Sequence, residues 1–334
     1  MKKMTRAGLS VSLAMLLFAV LYYQPAYSAA TNSELKVIVI DVGQGLSQLI
    51  IFPDGKAMLV DGGDRDQGNN VLSALQQNGI TKLDAVVATH PHADHIGGLV
   101  AVLKNIPVDE VIDSGQVYTT QTFENFVNAI DSKKIPLRSV HDGDIIELDP
   151  AVSLNVLNPP ATLPVGADNE SDFNNNSVTI KLTYGNFTAM LPGDMQIENE
   201  ERLADRGDID VDLLVAGHHG SRTSSSAPFL AATSPDAVII SAGAGNTYGH
   251  PHQEALARIS AAGVSHVLRT DLDGTVTVTA TADGNYTIET GKTHNVVTIP
   301  EFEGMTAPVL VASMSLITIF LTIYNNKRGK SEVA

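Results

Sequence analysis

One segment of the chain combines an apolar strand, a cluster of metal-binding residue types and a helix. It reads LDAVVATHPHADHIGGLVAVLKNI and places His90, His92, Asp94 and His95 within six consecutive positions after the apolar run. Because alternate residues of a strand point the same way, His90 and His92 project together. Asp94 and His95 follow where the chain turns into the helix, so they are aimed at a second point. The segment predicts one loop that serves two cations, and the alternative is a polar loop in which Asp94 caps the helix.

The composition restricts both the ligands and the class of partner. The 334 residues contain no cysteine, so only oxygen and imidazole ligands are available and a disulfide framework is excluded. Acidic residues outnumber basic residues by 37 to 21, which gives a net charge of −16. This balance argues against a broad basic surface that grips nucleic acid. Any polyanion would be held locally, for instance by metal ions.

Residues 34–290 alternate short β-branched runs with helical segments, which predicts one large α/β domain. The predicted strands are LKVIVIDVGQG, two within SQLIIFPDGKAMLVDGG, LDAVVAT, VDEVIDSG, DIIELD, VSLNVLN, SVTIKLTYG, FTAMLPGD, VDLLVAG, DAVIISAG, SHVLRT, GTVTVTA and YTIET. The predicted helices are NNVLSALQQNG, IGGLVAVLKNI, TFENFVNAIDSKK, APFLAAT and HQEALARISAAG. Two such α/β portions predict a four-layer arrangement of two sheets flanked by helices.

Both ends of the chain lie outside this predicted domain. Residues 1–30 have a basic start, an apolar stretch and small residues near Ala30, the layout of a secretory signal peptide, with an uncleaved membrane anchor as the alternative. Residues 291–305 form a predicted linker, and the uncharged residues 306–324 a predicted transmembrane helix. The basic residues 325–334 would remain cytoplasmic. The domain is therefore expected to be exported and to face outward.

The motif formed by His90, His92, Asp94 and His95 resembles the HxHxDH signature of the metallo-β-lactamase superfamily. The resemblance implies an αββα sandwich with a two-metal site at the edge of the sheets. It also implies that Asp61, in LVDGGD, orients the ligand loop and that Asp194, in MLPGDM, bridges the two metals. Taken alone, each of these two short motifs would be interpreted as a turn.

The remaining metal ligands expected from this resemblance are one histidine that is present and one that is missing. In LLVAGHHGS, His218 occupies the place of the last ligand, with His219 beside it. We expect one ligand and one substrate contact from this pair, with His218 favoured as the ligand and both assignments open. Most superfamily members also supply a histidine before the bridging aspartate. Here the only histidine in that interval is His141, which precedes two strands and is out of place, so the first metal is expected to lack one imidazole.

A narrower resemblance covers residues 37–275, nearly the whole predicted domain. The motifs DVGQG, VDGGD, THPHADHIGG, NNNSVTI, PGD, GHHGSRTSSS and NTYGHPH are similar, in order, to the hydrolase domain of ComEC-type competence proteins. This resemblance implies that Asn175, Asn176 or Ser177 faces the first metal, directly or through water. Leu46 stands where the group usually has an acidic residue, which weakens any catalytic role for that loop.

The resemblance implies an exported metal-dependent hydrolase, most directly a phosphodiesterase or nuclease that uses water activated by two metal ions. His219, Ser221, Tyr248 and His250 are the candidates for protonating the leaving group or positioning the phosphate. The expected ions are zinc or manganese. The alternatives are a hydrolase of a lactone, thioester or β-lactam bond and a non-catalytic surface module.

The C-terminal string IPEFEG, followed by an apolar run and a basic cluster, resembles the PEF-CTERM sorting signal of archaeal surface proteins. That resemblance implies recognition and removal of the tail by an archaeosortase. A plain C-terminal membrane anchor is the alternative. Either interpretation places the domain outside the cell, at the extracellular face of the cell membrane or at the cell surface.

Overall fold

The computed structural model describes residues 34–162, 170–292 and 297–299. Its strands are β1 (Leu35–Val39), β2 (Gln48–Ile51), β3 (Ala57–Val60), β4 (Ala85–Ala88), β5 (Val111–Asp113), β6 (Leu137–Ser139), β7 (Val152–Asn158), β8 (Thr179–Tyr184), β9 (Phe187–Leu191), β10 (Leu213–Val215), β11 (Ala237–Ile240), β12 (His266–Arg269), β13 (Val276–Ala280), β14 (Tyr286–Thr290) and β15 (Val297–Ile299).

The helices lie between these strands and on the outside of the sheets. They are α1 (Gly68–Gln77), α2 (Ala93–Ile96), α3 (Leu99–Asn105), α4 (Gln121–Lys133), α5 (Glu170–Asn175), α6 (Ile197–Arg206), α7 (Ala227–Thr233), α8 (Gln253–Ala261) and α9 (Thr270–Asp273), with a 3-10 turn at Gly217–Gly220.

The strands form two mixed sheets. The larger sheet has the order β15-β14-β13-β1-β2-β3-β4-β5-β6, and the smaller sheet has the order β12-β11-β10-β9-β8-β7. In each sheet one half is parallel: β3 to β6 in the larger sheet and β9 to β12 in the smaller. The last strands of the chain return to pair with β1, so the sheets do not correspond to consecutive halves of the sequence.

Three apolar layers hold the sandwich together. Alternate residues of the strands, such as Val37, Ile50 and Leu182, meet in the layer between the two sheets. The outer face of the larger sheet packs on α1, α3 and α4. The outer face of the smaller sheet packs on α6, α7 and α8. Burying both faces of each sheet explains why the central strands are continuous apolar runs. The predicted four-layer αββα sandwich is confirmed.

One local prediction is wrong, and a strand and a helix were not predicted. The segment DIIELD is not a strand: it forms a single bridge between Ile145 and Asn155. Its acidic residues close turns instead, since Asp144 accepts from the main-chain nitrogen of His141 and Asp149 accepts from that of Ala151. Strand β6 and helix α6 were not anticipated. All three residues of β6 are exposed, so the strand has no apolar alternation by which to recognise it.

The predictions for the chain ends concern mainly residues outside the described ones. The signal peptide at 1–30, the helix at 306–324, the basic tail and the sorting motif all lie there. Among the described ranges, no helix is long and apolar enough to cross a membrane. Strand β15 pairs with β14, so the larger sheet continues into the segment that the sequence assigned to a linker.

Candidate metal centre and its cleft

Loops at the carboxyl ends of central strands converge on one cleft between the sheets. Asp61 follows β3, residues 89–95 follow β4, Asp194 follows β9 and residues 218–219 follow β10. Polar residues placed at the carboxyl ends of neighbouring parallel strands meet at one edge of a sheet. Each sheet therefore contributes two loops to the same site.

His90 and His92 present two nitrogen atoms to the cleft. His90 Nε2 lies 3.0 Å from His92 Nδ1, near the roughly 3.4 Å that separates two nitrogen ligands of a tetrahedral zinc ion. The hydroxyl of Thr89 donates to Asp61 at 2.7 Å, and that of Ser177 donates to a main-chain carbonyl at 2.8 Å. Both hydroxyls are therefore left to accept from His90 Nδ1, at 3.1 and 3.3 Å. His90 Nε2 keeps a free lone pair as a result.

Asp61 is fully buried and holds the histidine loop in place. Its carboxylate accepts from the main-chain nitrogen of Thr89 at 2.9 Å and from the Thr89 hydroxyl. It also accepts from His95 Nδ1 at 2.8 Å. A carboxylate on one ring nitrogen fixes the tautomer and directs the other nitrogen outward. His95 Nε2 is thereby turned toward the centre of the cleft floor.

Asp94, His95 and His219 are close enough together to hold one ion. His219 Nε2 lies 3.2 Å from His95 Nε2 and 3.3 Å from Asp94 Oδ2. His219 Nδ1 donates to the carbonyl of Ser241 at 3.1 Å, which leaves Nε2 to face the other two side chains. The sequence favoured His218 as the ligand beside this pair, whereas the structure brings His219 there and places His218 nearer the solvent.

The adjacent histidines owe their positions to an unusual backbone. His218 and His219 both adopt left-handed conformations, with φ of 48° and 56°, which cost roughly 1–2 kcal/mol each for residues with a Cβ. Hydrogen bonds within the turn offset this cost, including one from Ser224 Oγ to the carbonyl of Gly217 at 2.6 Å. Two consecutive strained residues at a cluster of ligands are typical of a functional site.

Asp194 lies at the centre of four imidazoles. Its Oδ2 is 3.3 Å from His95 Nε2, 3.5 Å from His219 Nε2, 3.8 Å from His218 Nε2 and 3.9 Å from His90 Nε2. Its Oδ1 is buried and has no hydrogen-bond partner among the described residues. A buried carboxylate oxygen left in that state is explained by an ion that it binds. The donor set therefore fits the divalent metals that this arrangement of histidine and carboxylate implies.

The carboxylates give the site a strong field for positive charge. Burial lowers the pKa of His95, but Asp194, Asp61 and Asp94 outweigh it and raise that pKa well above its ordinary value. Burial likewise opposes charge on His219, yet Asp194 raises its pKa to about 9. Burial and the neighbouring His95 lower the pKa of His90 well below its ordinary value. A field that favours protons on two buried imidazoles also favours a bound cation.

Asn174 was not among the predicted site residues, and it lines the cleft next to His218. Its Nδ2 lies 3.3 Å from His218 Nε2, whose ring is also held by Thr223 Oγ1 at 3.1 Å from Nδ1. The Asn174 side chain is buried, and its Oδ1 has no partner within the described part of the chain. A neutral oxygen therefore stands in the region where the sequence lacks a histidine.

The three residues that the sequence offered for that position lie elsewhere. Asn175 Oδ1 accepts from the main-chain nitrogen of Gln196 at 3.2 Å, away from the cleft. Asn176 is buried and is not part of the cleft lining. Ser177 Oγ accepts from the main-chain nitrogen of Asp194 at 3.0 Å and contacts His90 from behind. Ser177 thus contacts two of the predicted ligands, and Asn174 is the asparagine of this run that lines the cleft.

The remaining predicted substrate contacts fall into two classes. Tyr248 and His250 line the cleft, on a loop organised by Asn246, whose Oδ1 accepts from the main-chain nitrogens of both. Burial, with a further contribution from His219, lowers the pKa of His250 to about 4. Ser221 is buried outside the cleft lining and pairs with Thr223 at 3.1 Å. Ser221 therefore supports the loop.

The cleft above this floor has a volume of about 420 Å³. Besides the predicted residues it is lined by Gln44, Arg65, Tyr118, Thr120, Gln121, Thr122 and Asn174. Gln44 belongs to the quoted DVGQG motif, whose Gly45 packs on the main-chain oxygen of Asp94 too closely for a Cβ. Arg65 and Tyr118 lie on loops without apolar periodicity or recognisable spacing, so the sequence carries no signal for them. Thr120 caps α4, Gln121 and Thr122 begin that helix, and Asn174 lies in α5, but the sequence pattern of these helices does not mark the residues as part of a cleft.

Comparison with known proteins agrees with this architecture. The family profile described as "Metallo-beta-lactamase superfamily" matches residues 40–244. The chain is 29% identical to "ComE operon protein 3" of Bacillus subtilis, over 73% of this chain and 33% of that protein. It is 31% identical to "Competence protein ComA" of Neisseria gonorrhoeae, over 80% and 35%. It is also 31% identical to "Recombination protein 2" of Haemophilus influenzae, over 67% and 26%.

These alignments span about a third of the curated relatives' own length or less. They show shared ancestry for the domain but do not transfer the activity of the whole relatives. The family profile, by contrast, covers well over half of this chain and includes the histidine loop, Asp61, Asp194 and the His218–His219 turn. The chain belongs to the metallo-beta-lactamase superfamily, whose members are typically metal-dependent hydrolases.

Proposed function

We propose that this chain is an exported phosphodiesterase that depends on two divalent metal ions and acts on DNA or another phosphodiester. The observation that carries the proposal is the position of Asp194, whose Oδ2 lies among four imidazoles while its buried Oδ1 lacks a partner among the described residues. The cluster forms the floor of an open cleft, so a substrate group can reach it.

The donor atoms divide into two sets that share Asp194. One ion would be held by His90, His92 and Asp194, and the other by Asp94, His95, His219 and Asp194. Imidazole and carboxylate donors suit zinc or manganese, and an oxygen donor in place of the missing imidazole would shift the preference toward manganese. When bound, two such ions supply a water nucleophile of lowered pKa and positive charge for the phosphate oxygens.

The residues of the chain itself then hold the substrate. His218, Asn174, Tyr248 and His250 all line the cleft, and the ring centroids of His218 and His250 are 5.6 Å apart. They are the groups placed to contact the phosphate and the oxygen that leaves. Asp61 keeps His95 in its tautomer, and Ser177 fixes the main chain of Asp194, so both act on the reaction by positioning other residues.

The names of two relatives favour a phosphodiester over a lactone, thioester or β-lactam bond, because competence and recombination are processes that involve DNA. The net charge of −16 does not oppose such a substrate, because ions on the cleft floor would give an acidic protein a local means of binding a polyanion. A non-catalytic surface module is disfavoured because the described residues retain donors for both ions.

We place the activity outside the cell. The support is the composition of residues 1–30, 306–324 and 325–334, which is typical of a signal peptide, a membrane-spanning helix and a basic cytoplasmic flank. We likewise propose that this helix anchors the chain in the membrane or is removed by an archaeosortase-type enzyme.

The test compares substrate classes on the purified full-length chain loaded with Mn²⁺ or Zn²⁺. A single-stranded oligonucleotide and bis(p-nitrophenyl) phosphate should be hydrolysed, whereas a lactone and nitrocefin should not. Asp194→Asn should lower the rate roughly a thousand-fold, since it removes several kcal/mol of charge stabilisation. The matched control, Asp131→Asn, replaces an exposed helix carboxylate and should leave the rate unchanged. Turnover confined to the lactone or nitrocefin would contradict the proposal.

A further inference from the structure

A tyrosine that the metal centre does not use forms one wall of the cleft. The ring centroid of Tyr118 lies 4.7 Å from that of Phe173 and 5.5 Å from that of His92, tilted by 54° and 62°. Phe173 is buried, so the Tyr118 ring is supported from below while part of it faces the cleft. A supported, half-exposed aromatic ring beside a reaction centre offers a surface on which a planar group can stack.

A second tyrosine ring terminates the same series of aromatic contacts. Tyr248 is 66% exposed and stacks on His250 at 5.7 Å with an interplanar angle of 22°. His250 in turn stacks on His219 at 6.0 Å and 30°. The series of ring contacts therefore begins at Tyr118, crosses the ligand histidines and ends at Tyr248. A substrate whose reacting atom sits over the ligands would have an aromatic ring on each side of it.

A single guanidinium accompanies these rings. Arg65 is the one lysine or arginine among the described residues that line the cleft. Its side chain is 68% exposed, and its contact with the neighbouring Asp64 is long, at 3.4 Å. Exposed pairs of that kind contribute little to stability, so the guanidinium is available to a ligand. A guanidinium presents paired donors that match the oxygens of a phosphate.

We propose that Tyr118 and Arg65 form a nucleoside-binding wall that makes the enzyme select phosphodiesters flanked by a nucleobase. Tyr118 stacks on the base next to the cleaved linkage, and Arg65 binds an adjacent phosphate. This inference rests on the proposed phosphodiesterase function and adds the two residues that define its substrate. It accounts for a cleft that combines stacking surfaces with one cation in a chain of strong negative charge.

The experiment compares two single-stranded oligonucleotides that differ at one residue, which carries either a base or a tetrahydrofuran abasic unit beside the cleaved linkage. Tyr118→Leu should lower kcat/KM on the base-containing substrate by about 5- to 100-fold, mainly through KM. It should change kcat/KM on the abasic substrate less than about two-fold, because that substrate gains nothing from stacking. Tyr118→Phe keeps the ring and should restore the preference.

The phosphate contact of Arg65 is tested by measuring how oligonucleotide affinity depends on salt concentration. Arg65→Gln should weaken binding of both oligonucleotides equally, and it should reduce the slope of log affinity against log salt by about 0.7, the value for one phosphate contact on a single strand. Arg65→Lys should retain the slope. An unchanged slope in Arg65→Gln would contradict the assigned phosphate contact.

The possible outcomes separate this inference from the proposed function. Equal losses on both oligonucleotides in Tyr118→Leu would show that the ring only supports His92, and no loss on either would show that it touches no base. Each of these results would contradict the proposed nucleoside-binding wall. If the unmodified chain hydrolyses neither oligonucleotide, the phosphodiesterase proposal fails. The same base and abasic pair, followed by fluorescence anisotropy with the same variants, then decides whether Tyr118 binds the base.

Discussion

The two groups of donor atoms on the cleft floor are supported in different ways. The first group is His90, His92 and Asp194, and the second is Asp94, His95 and His219. In the second group a buried carboxylate, Asp61, orients His95, and a main-chain carbonyl orients His219. In the first group the hydroxyls of Thr89 and Ser177 orient His90. Charged support raises the basicity of an imidazole more than a hydroxyl does.

This contrast bears on how the two ions would behave. The second position combines two oriented imidazoles with Asp94 and the shared Asp194, so two carboxylates would hold an ion there. The first position combines two imidazoles with the shared Asp194 alone, so one carboxylate would hold an ion there. We therefore expect the second ion to bind more tightly and the first to exchange more readily.

The largest expected effect concerns a residue that holds the loop after the histidine turn in place. Glu200 is buried on α6, and its two carboxylate oxygens accept from the main-chain nitrogens of Ser225 and Ser226, at 2.6 and 2.7 Å. Arg258 holds the same segment by donating to the carbonyls of Arg222, Ser224 and Ser225. This loop carries Thr223, which orients His218. Loss of the brace should therefore disturb the whole histidine turn.

Burial raises the pKa of Glu200 from 4.5 to about 7, against the hydrogen bonds from Ser226 and Ser225, which lower it. Below pH 4.5 the folded and unfolded chains both carry this proton. As the pH rises to 7 the unfolded chain loses the proton before the folded chain does, so this group's contribution to the free energy of unfolding falls by about 3 kcal/mol. Glu200→Gln should remove that fall.

Urea unfolding at several pH values, with chelator present throughout, measures the effect as a difference between the unmodified chain and Glu200→Gln. The exposed neighbour Glu201 provides the matched control, Glu201→Gln, for which the difference should stay constant across the range. A difference for Glu200→Gln that does not change between pH 4.5 and 7 would show that the buried carboxyl titrates normally.

The second prediction tests the charged support directly. Asp61→Asn removes the negative charge from His95 Nδ1 and should weaken binding of the more tightly held ion by about 10- to 100-fold. The more weakly held ion should be affected less, because Asp61 reaches His90 only through the hydroxyl of Thr89. Calorimetric titration with Zn²⁺ gives both constants, and circular dichroism checks that the variant is folded. Equal weakening of both ions would remove the distinction between the groups.

Much of the cleft floor was predictable because its residues follow strands with strong apolar runs. His90 directly follows the predicted strand LDAVVAT, so the end of that strand locates it. Asp194 likewise follows the strand FTAML, and the histidine pair follows VDLLV. What the sequence could not decide is which of two adjacent histidines turns inward. That choice depends on left-handed backbone angles at His218 and His219, which the hydrogen bonds of the surrounding loop impose.

The asparagine run shows the same limit in another form. The side chains at 174, 175 and 176 are identical, and the resemblance to the ComEC-type group pointed to Asn175, Asn176 or Ser177 as the residue that faces the first metal. In the structure Asn174 and Asn175 end the short helix α5, and a helical turn points successive side chains in different directions. The walls of the cleft were less predictable still, since Arg65 and Tyr118 lie on loops with no periodicity.

The smallest predicted effect separates Asn174 from its neighbour. Asn174→Ala removes an amide oxygen from the cleft lining and should weaken the more weakly held ion by about ten-fold while leaving the other unchanged, as expected for one neutral donor. Asn174→Asp supplies a charged oxygen at the same place and should strengthen that ion. The matched control is Asn175→Ala, whose side chain accepts from the main-chain nitrogen of Gln196 instead. Mn²⁺ titration followed by electron paramagnetic resonance reports free and bound ion. A ten-fold loss in Asn175→Ala with none in Asn174→Ala would assign the donor to Asn175, one of the three residues that the sequence analysis offered, and would contradict the role proposed for Asn174.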